Sequence, residues 1–121
     1  MATPNIVAAT EIYGKSINGA LGTTLTTDLL TCPSNKLLKV NTIIIANVDG
    51  TNAATVTMGI IKSGGSVVLF ANTISIPADA SLTLIDKNSG VYLQEGDILE
   101  GGASAAGDLT YTISYEEIDD A

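Results

Sequence analysis

The sequence contains no histidine and no tryptophan, a single cysteine, and five basic residues against thirteen acidic ones. Each shortage removes a class of function. Without His the chain lacks the commonest general base and the commonest zinc ligand. Cys32 by itself forms no intrachain disulfide and no cysteine-based metal site, and a lone thiol fits synthesis in a reducing cytoplasm. A formal net charge of -8 disfavours nucleic acid, whose binding rests on Lys and Arg neutralising phosphates, and equally disfavours anionic membrane surfaces. The same charge keeps a small protein soluble. No apolar run approaches the roughly 20 residues of a membrane helix. Residues 1–9 show neither the basic start nor the apolar stretch of a signal peptide.

What is present is aliphatic. With 121 residues the chain has room for one domain, and a chain of that size buries roughly two-thirds of its unfolded surface. Only 4% of residues are aromatic, so the core is expected to be Val, Ile and Leu filling a narrow space between two sheets. The stretch from Lys39 to Ile61, KVNTIIIANVDGTNAATVTMGII, reads as a central hairpin. Val40, Thr42 and Ile44 alternate with Asn41, Ile43 and Ile45, so both faces of its first arm are largely apolar. Thr55 to Ile60 alternates at period two, and Val48 to Asn52 between the arms is rich in turn residues.

Along the rest of the chain, residues 1–10 read as an arm and residues 119–121 as an acidic tail, with one domain at 11–118. Glu11 to Ile17 reads as a strand meeting a turn at Asn18-Gly19. Thr23 to Thr31 is a strand or an irregular connection, and Cys32 to Asn35 is a loop. Lys62 to Ser66 should close a second hairpin onto Val67 to Phe70, read as a buried strand that continues through Ile74 to Ile76 and stops at Pro77. Leu82 to Ile85, Val91 to Leu93 and Ile98-Leu99 are short strands. Gly101 to Gly107 is too rich in small residues for a core element and reads as a strand end with an exposed loop. Leu109 to Tyr115 alternates most regularly of all, and Glu116 onward is expected to fray. The total is about seven to nine short strands with no convincing helix. That is an all-β, antiparallel β-sandwich of jelly-roll or Ig-like kind.

Few residues suggest chemistry. Asp49, Asp79, Asp86, Asp97 and Asp108 sit in turns, where carboxylates either gather calcium or hydrogen-bond their own backbone. The spaced D-x-D-x-D-G loop is missing, which favours the backbone role. Glu95 with Asp97, or Glu116 with Glu117, are the close carboxylate pairs a glycosidase would need, yet neither comes with aromatic platforms. No base stands ready to activate a Ser, and Gly64-Gly65 and Gly101-Gly102 lack the Lys of a phosphate loop. No cofactor, metal or enzymatic activity is expected. The doubly apolar arm either has both faces covered within the fold or has one buried against another subunit, and the second alternative implies self-association in a closed ring. The expected contact residues are Ile43 and Ile45, with Leu21, Leu25, Tyr13, Tyr92 and, in the arm, Ile6 and Val7.

Several short stretches, taken in order, resemble small virion proteins of tailed bacteriophages, notably those of marine and cyanobacterial phages. They are Asn47 to Asn52 after an Ile-rich strand, Ile76 to Asp79, Leu84 to Asn88, Tyr92 to Asp97 and Ser114 to Ile118, with an echo in Met1 to Ile6. The resemblance implies a β-sandwich with a structural role, displayed on a capsid or built into a tail, and no catalytic residues. On that basis the expected partner is the major capsid protein. The expected assembly is a homo-oligomer, a trimer favoured, on the virion surface after synthesis in the host bacterial cytoplasm. A tail, neck or fibre position, with a host glycan as ligand, is the alternative.

Overall fold

Short β-branched and aliphatic runs, punctuated by Gly, Asp, Asn and Pro, fold into strands in the computed structural model, which describes residue 7 and residues 9–119 (for Lys87 the backbone alone). The strands are β1 (Glu11–Ala20), β2 (Asp28–Thr31), β3 (Lys36–Asn47), β4 (Ala54–Ile61) and β5 (Val67–Ile76). They continue with β6 (Ser81–Ile85), β7 (Val91–Leu93), β8 (Ile98–Ala103) and β9 (Leu109–Asp119). One turn of 3-10 helix, Lys87–Ser89, is capped by the Asp86 carboxylate, which accepts from the Asn88 amide.

Two antiparallel sheets form a sandwich. One has the order β1-β9-β3-β6, with β7 also on β3, and the other has the order β2-β8-β4-β5. Setting β7 aside, this is the strand order of a jelly roll, in which the chain crosses repeatedly from one sheet to the other. The expected all-β sandwich is therefore present, in its jelly-roll rather than its Ig-like form.

That order overturns the central hairpin. β3 pairs with β6, β7 and β9, while β4 pairs with β5 and β8, so Val48 to Asn52 carries the chain between sheets. Buried Asn47 organises the crossing. Its side-chain amide donates to the carbonyls of Asn52 (3.0 Å) and Ile76 (2.9 Å), and its Oδ1 accepts from the Asp49 amide (2.9 Å). Consecutive strands do form a hairpin at β4–β5, where the second hairpin was expected.

The two apolar faces of β3 have a local cause. Its register against β9 shifts between Val40 and Thr42, a bulge at Asn41. Leu38 and Val40 face the core before the bulge, and Ile43 and Ile45 face it after. An extra residue swaps the parity of the inward set, so an unbroken alternation was the wrong template. Ile44 is left on the outside. Opposite them lie Val56 and Met58 of β4 and Leu99 of β8, and beside them in the same sheet Ile113 of β9, all fully buried. Each such side chain contributes about 1.5–3 kcal/mol of transfer free energy.

Three further readings change. Asn18-Gly19 is strand, paired with Thr112 and Tyr111, rather than a turn. Gly101 and Gly102 are buried at the centre of the four-stranded sheet. A Cβ on Gly101 would come 2.6 Å from the Met58 side chain, so the small residues are there to let the core close over them. Glu116 to Asp119 do not fray, because β9 lies between β1 and β3 and is paired on both sides as far as Asp119. β9 thus runs one residue into the expected tail, and residues 120–121 lie outside the described residues. Thr10 is tied to Asp119 by its amide (2.9 Å) at the boundary of the expected arm, most of which also lies outside them.

Candidate interaction site

β5 is an edge strand, and its register on β4 sets which way its side chains point. Val68 pairs with Ile60 and Ala71 with Met58, and paired residues share a face, so Val68 points between the sheets as Ile60 and Met58 do. Yet Val68 is 71% exposed, and its neighbour Phe70 is 40% exposed. The facing sheet explains the exposure. β6 stops at Ile85, the chain leaves the sheet for the 3-10 turn, and β7 returns for three residues against the other half of β3. The sandwich therefore gapes along this side. The gap is a slot of about 540 Å³, within the range of pockets that hold small ligands or inserted side chains.

Ile60, Val68 and Phe70 form one wall of the slot, and Leu84, Ile85, Val91 and Tyr92 the other. Lys62 and Ser89 complete the lining, and no acidic residue contributes to it. This contradicts the reading of Val67 to Phe70 as a buried strand. An apolar run records that water is disfavoured there, but not whether the same chain supplies the cover.

Lys62 is already engaged. Its ammonium forms an ion pair with Asp97 and donates to Gln94 Oε1 (2.9 Å). Asp97 is 1% exposed and also accepts from the amides of Gln94 (2.8 Å) and Ser63 (3.0 Å). Burial pushes the Asp97 carboxyl up, but the lysine and the two amides outweigh it and hold it below the usual carboxylate range. The result is a brace between the β4–β5 and β7–β8 turns at the foot of the slot.

The carboxylates singled out by sequence separate into structural tasks. Glu95 does not converge with Asp97, for its Oε2 accepts from the Asn35 amide (2.6 Å). Glu117 pairs with Lys15 (2.6 Å), whereas Glu116 accepts from the Asn41 side chain (3.4 Å). Asp49, Asp79 and Asp108 do meet at one end of the sandwich, where Asp49 accepts from the Thr51 amide (2.8 Å) and its carbonyl accepts from the Asp79 amide (3.2 Å). Desolvation and the nearby Asp49 raise the Asp108 carboxyl. Among the described residues, no group of three or more His, Cys, Asp or Glu is arranged to hold a metal ion.

One pairing was invisible in the sequence. Asp28 and Glu100 are register partners on β2 and β8. Glu100 is 5% exposed, its Oε1 has no hydrogen-bond partner among the described residues, and burial followed by the Asp28 carboxylate raises its pKa. Only strand pairing brings these two together.

The expected contact residues do not form one surface. Leu21, Ile43 and Ile45 are in the chain's own core, so they have no face left for a partner. Tyr13 is exposed on β1, where its hydroxyl donates to Glu11 Oε2 (2.6 Å), on the opposite edge from the slot. Leu25 is exposed on the loop that packs over Gly102, and Val7 is 94% exposed. Ile6 lies outside the described residues. Tyr92 alone of the set lines the slot. The larger part of the site, Val68 and Phe70 with Leu69 beside them, was missed. Their contiguous apolar run is the signal, once β5 is known to be an edge.

Fold and site define an all-β jelly-roll sandwich with an uncovered apolar side. No protein-family model matches the chain, and no curated protein matches it. Among solved structures it is similar to a pentameric capsid protein isolated from metagenomic phage sequences, at 17% identity and a TM-score of 0.40. The match covers 87% of this chain and 64% of that one, so this chain spans less than two thirds of the length of the protein it matches. A likeness of that extent carries no argument about function or assembly.

Proposed function

We propose that this chain is a structural virion protein, and within that class a decoration or cement protein that binds the assembled phage head and stabilises it. It works by contact and carries out no chemical step. The observation that carries the reading is the open apolar side, where inward-pointing Val68 and Phe70 lie uncovered in a chain that is otherwise strongly acidic. Such a side is what a protein built to be covered by another presents. The ordered resemblance of Asn47 to Asn52, Tyr92 to Asp97 and Ser114 to Ile118 to phage virion proteins supplies the setting. The jelly roll is compatible with it but serves capsid and lectin domains alike, so the fold by itself decides nothing.

The partner in this reading is the major capsid protein at the outer surface of the head. A protein that binds the assembled shell and not free subunits shifts the assembly equilibrium toward the shell by mass action. The second reading is a tail, neck or fibre protein that holds a host glycan. It is favoured by Tyr92, whose exposed ring at the wall of the slot offers a stacking surface for a sugar.

Quantitative mass spectrometry of purified virions tests the choice. Copies comparable to those of the major capsid protein are expected. A few copies per particle would move the protein to the tail or neck, and absence from the particle would end the virion reading.

A further inference from the structure

The open side differs from every other edge of the sandwich in its charge. β5, β6 and β7 contain no charged residue among them, in a chain of formal net charge -8. The opposite edges carry Glu11 and Lys15 on β1 and Asp28 on β2, beside the buried Glu100. On this side three consecutive apolar residues, Val68, Leu69 and Phe70, are exposed. Among the described residues, β5 has β4 as its one neighbour in the sheet, which leaves its other backbone edge open.

We propose that the open side is where two copies of this chain meet about a two-fold axis, β5 against β5, each copy covering the other's slot. The argument for a second copy is electrostatic. Two strongly acidic molecules approach each other most easily where neither presents carboxylates, and separations beyond about 8 Å are largely screened at physiological ionic strength. A head-to-tail contact would bury the carboxylate of Glu11 or Asp28 against the apolar slot, whereas a two-fold contact joins two linings that hold no carboxylate and whose one cation, Lys62, is already paired with Asp97. The contact is also limited in extent. The β4–β5 register shifts on either side of Met58, and Thr73 has φ 49°, so regular strand geometry is confined to Val67–Leu69 and to the end near Ile76. Bulges of this kind stop an edge from adding strand after strand, which suits a closed pair rather than a fibre.

This inference concerns the free chain in solution, and because it uses the same open side as the proposed function, a copy docked on the head would give up this contact to the capsid protein. Analytical ultracentrifugation of the whole chain should find a dimer. Val68→Asp and Phe70→Asp, each placing a charge where the side chain already meets water in the monomer, should keep the β-sheet circular dichroism and weaken self-association about tenfold or more. Position is read by Val68→Cys with a short bis-maleimide. Native Cys32 is buried with its thiol pushed up to about 11, so it leaves little background at neutral pH. Cross-linking should stop at covalent dimers, with Tyr13→Cys on the far edge giving none. A monomeric chain at all concentrations would overturn the proposal and leave the slot to a capsid protein or another ligand. So would a trimer or larger ring, or a dimer indifferent to both aspartates.

Discussion

The two long sides of this sandwich are built from similar strands and end up in opposite states. On the β1/β2 side, the segment Leu21 to Thr27 crosses between the sheets and is stitched to both. The Leu21 amide donates to the Leu109 carbonyl (2.8 Å), the Ala103 amide to Gly22 (2.8 Å) and the Gly101 amide to Thr27 (3.1 Å). The Leu21 side chain is fully buried, plugging the gap between the layers. On the β5/β6/β7 side the chain crosses as well, through Pro77 to Ala80 and again between β7 and β8, but neither connection places an apolar side chain in the slot. The difference teaches that a sandwich is closed by its connections as much as by its sheets. Where a connection carries a plug, the inward residues are core, and where it does not, residues pointing the same way become surface.

Removing the plug should have the largest effect. Leu21→Ala should cost about 2–5 kcal/mol in chemical denaturation, because the site has rigid sheet on both sides and cannot collapse. Asp97→Ala should cost about 1–3 kcal/mol, since it removes the acceptor of the part-buried amides of Gln94 and Ser63 and the partner of the Lys62 ammonium. That brace also predicts acid sensitivity. The folded pKa of Asp97 is depressed, so its stabilisation is complete above the ordinary carboxylate value and is lost as pH falls through the folded value. The slope of stability against pH on the acid side should be shallower in the variant. Gly102→Ala should cost about 1–3 kcal/mol, because its Cβ would meet the Thr24 carbonyl at 2.7 Å and lift the closing segment off the sheet.

Glu100 works in the other direction. Its folded pKa is raised, so its favourable contribution is present below the ordinary carboxylate value and is lost as pH rises through the folded value. Glu100→Gln should therefore melt higher than the parent at neutral pH and lose that advantage in acid, as followed by thermal unfolding. Smallest of all, Val68→Ala should change monomer stability by no more than about 0.5 kcal/mol despite its inward direction. A cost resembling that of Leu21→Ala would mean that the open side is closed within one chain.

What the sequence disclosed follows the range of the forces involved. β9 was plain because Leu109, Ile113 and their neighbours alternate without a break, and the turns at Lys62 to Ser66 and Glu95 to Asp97 were plain because Gly64 and Gly96 take positive φ. The bulge at Asn41 was hidden, since one inserted residue leaves no mark on composition. The β3–β4 crossing was hidden too. Val48 to Asn52 announces a turn but says nothing about whether the next strand lies beside the last or across from it. Of the site, the sequence showed Tyr92 and the apolar run of β5. Its openness depends on where β6 ends and β7 begins, which is a matter of partners far along the chain.

The position of β9 between β1 and β3 sets an order of events during synthesis. Until residues 109–119 leave the ribosome, the five-stranded sheet has a gap in its middle and neither β1 nor β3 has its principal neighbour. At about 5–20 residues per second the stretch from β1 to the end of β9 takes on the order of 5–22 s to make, and for most of that time the facing edges of β1 and β3 have no mate. The final pairing closes almost the whole length of the chain into a loop, which makes it slow for a domain of this size. Folding of the five-stranded sheet should thus begin in earnest only once residues 109–119 are free to pair, with the newborn strands relying on the chain's negative charge, and on chaperones, to stay out of aggregates.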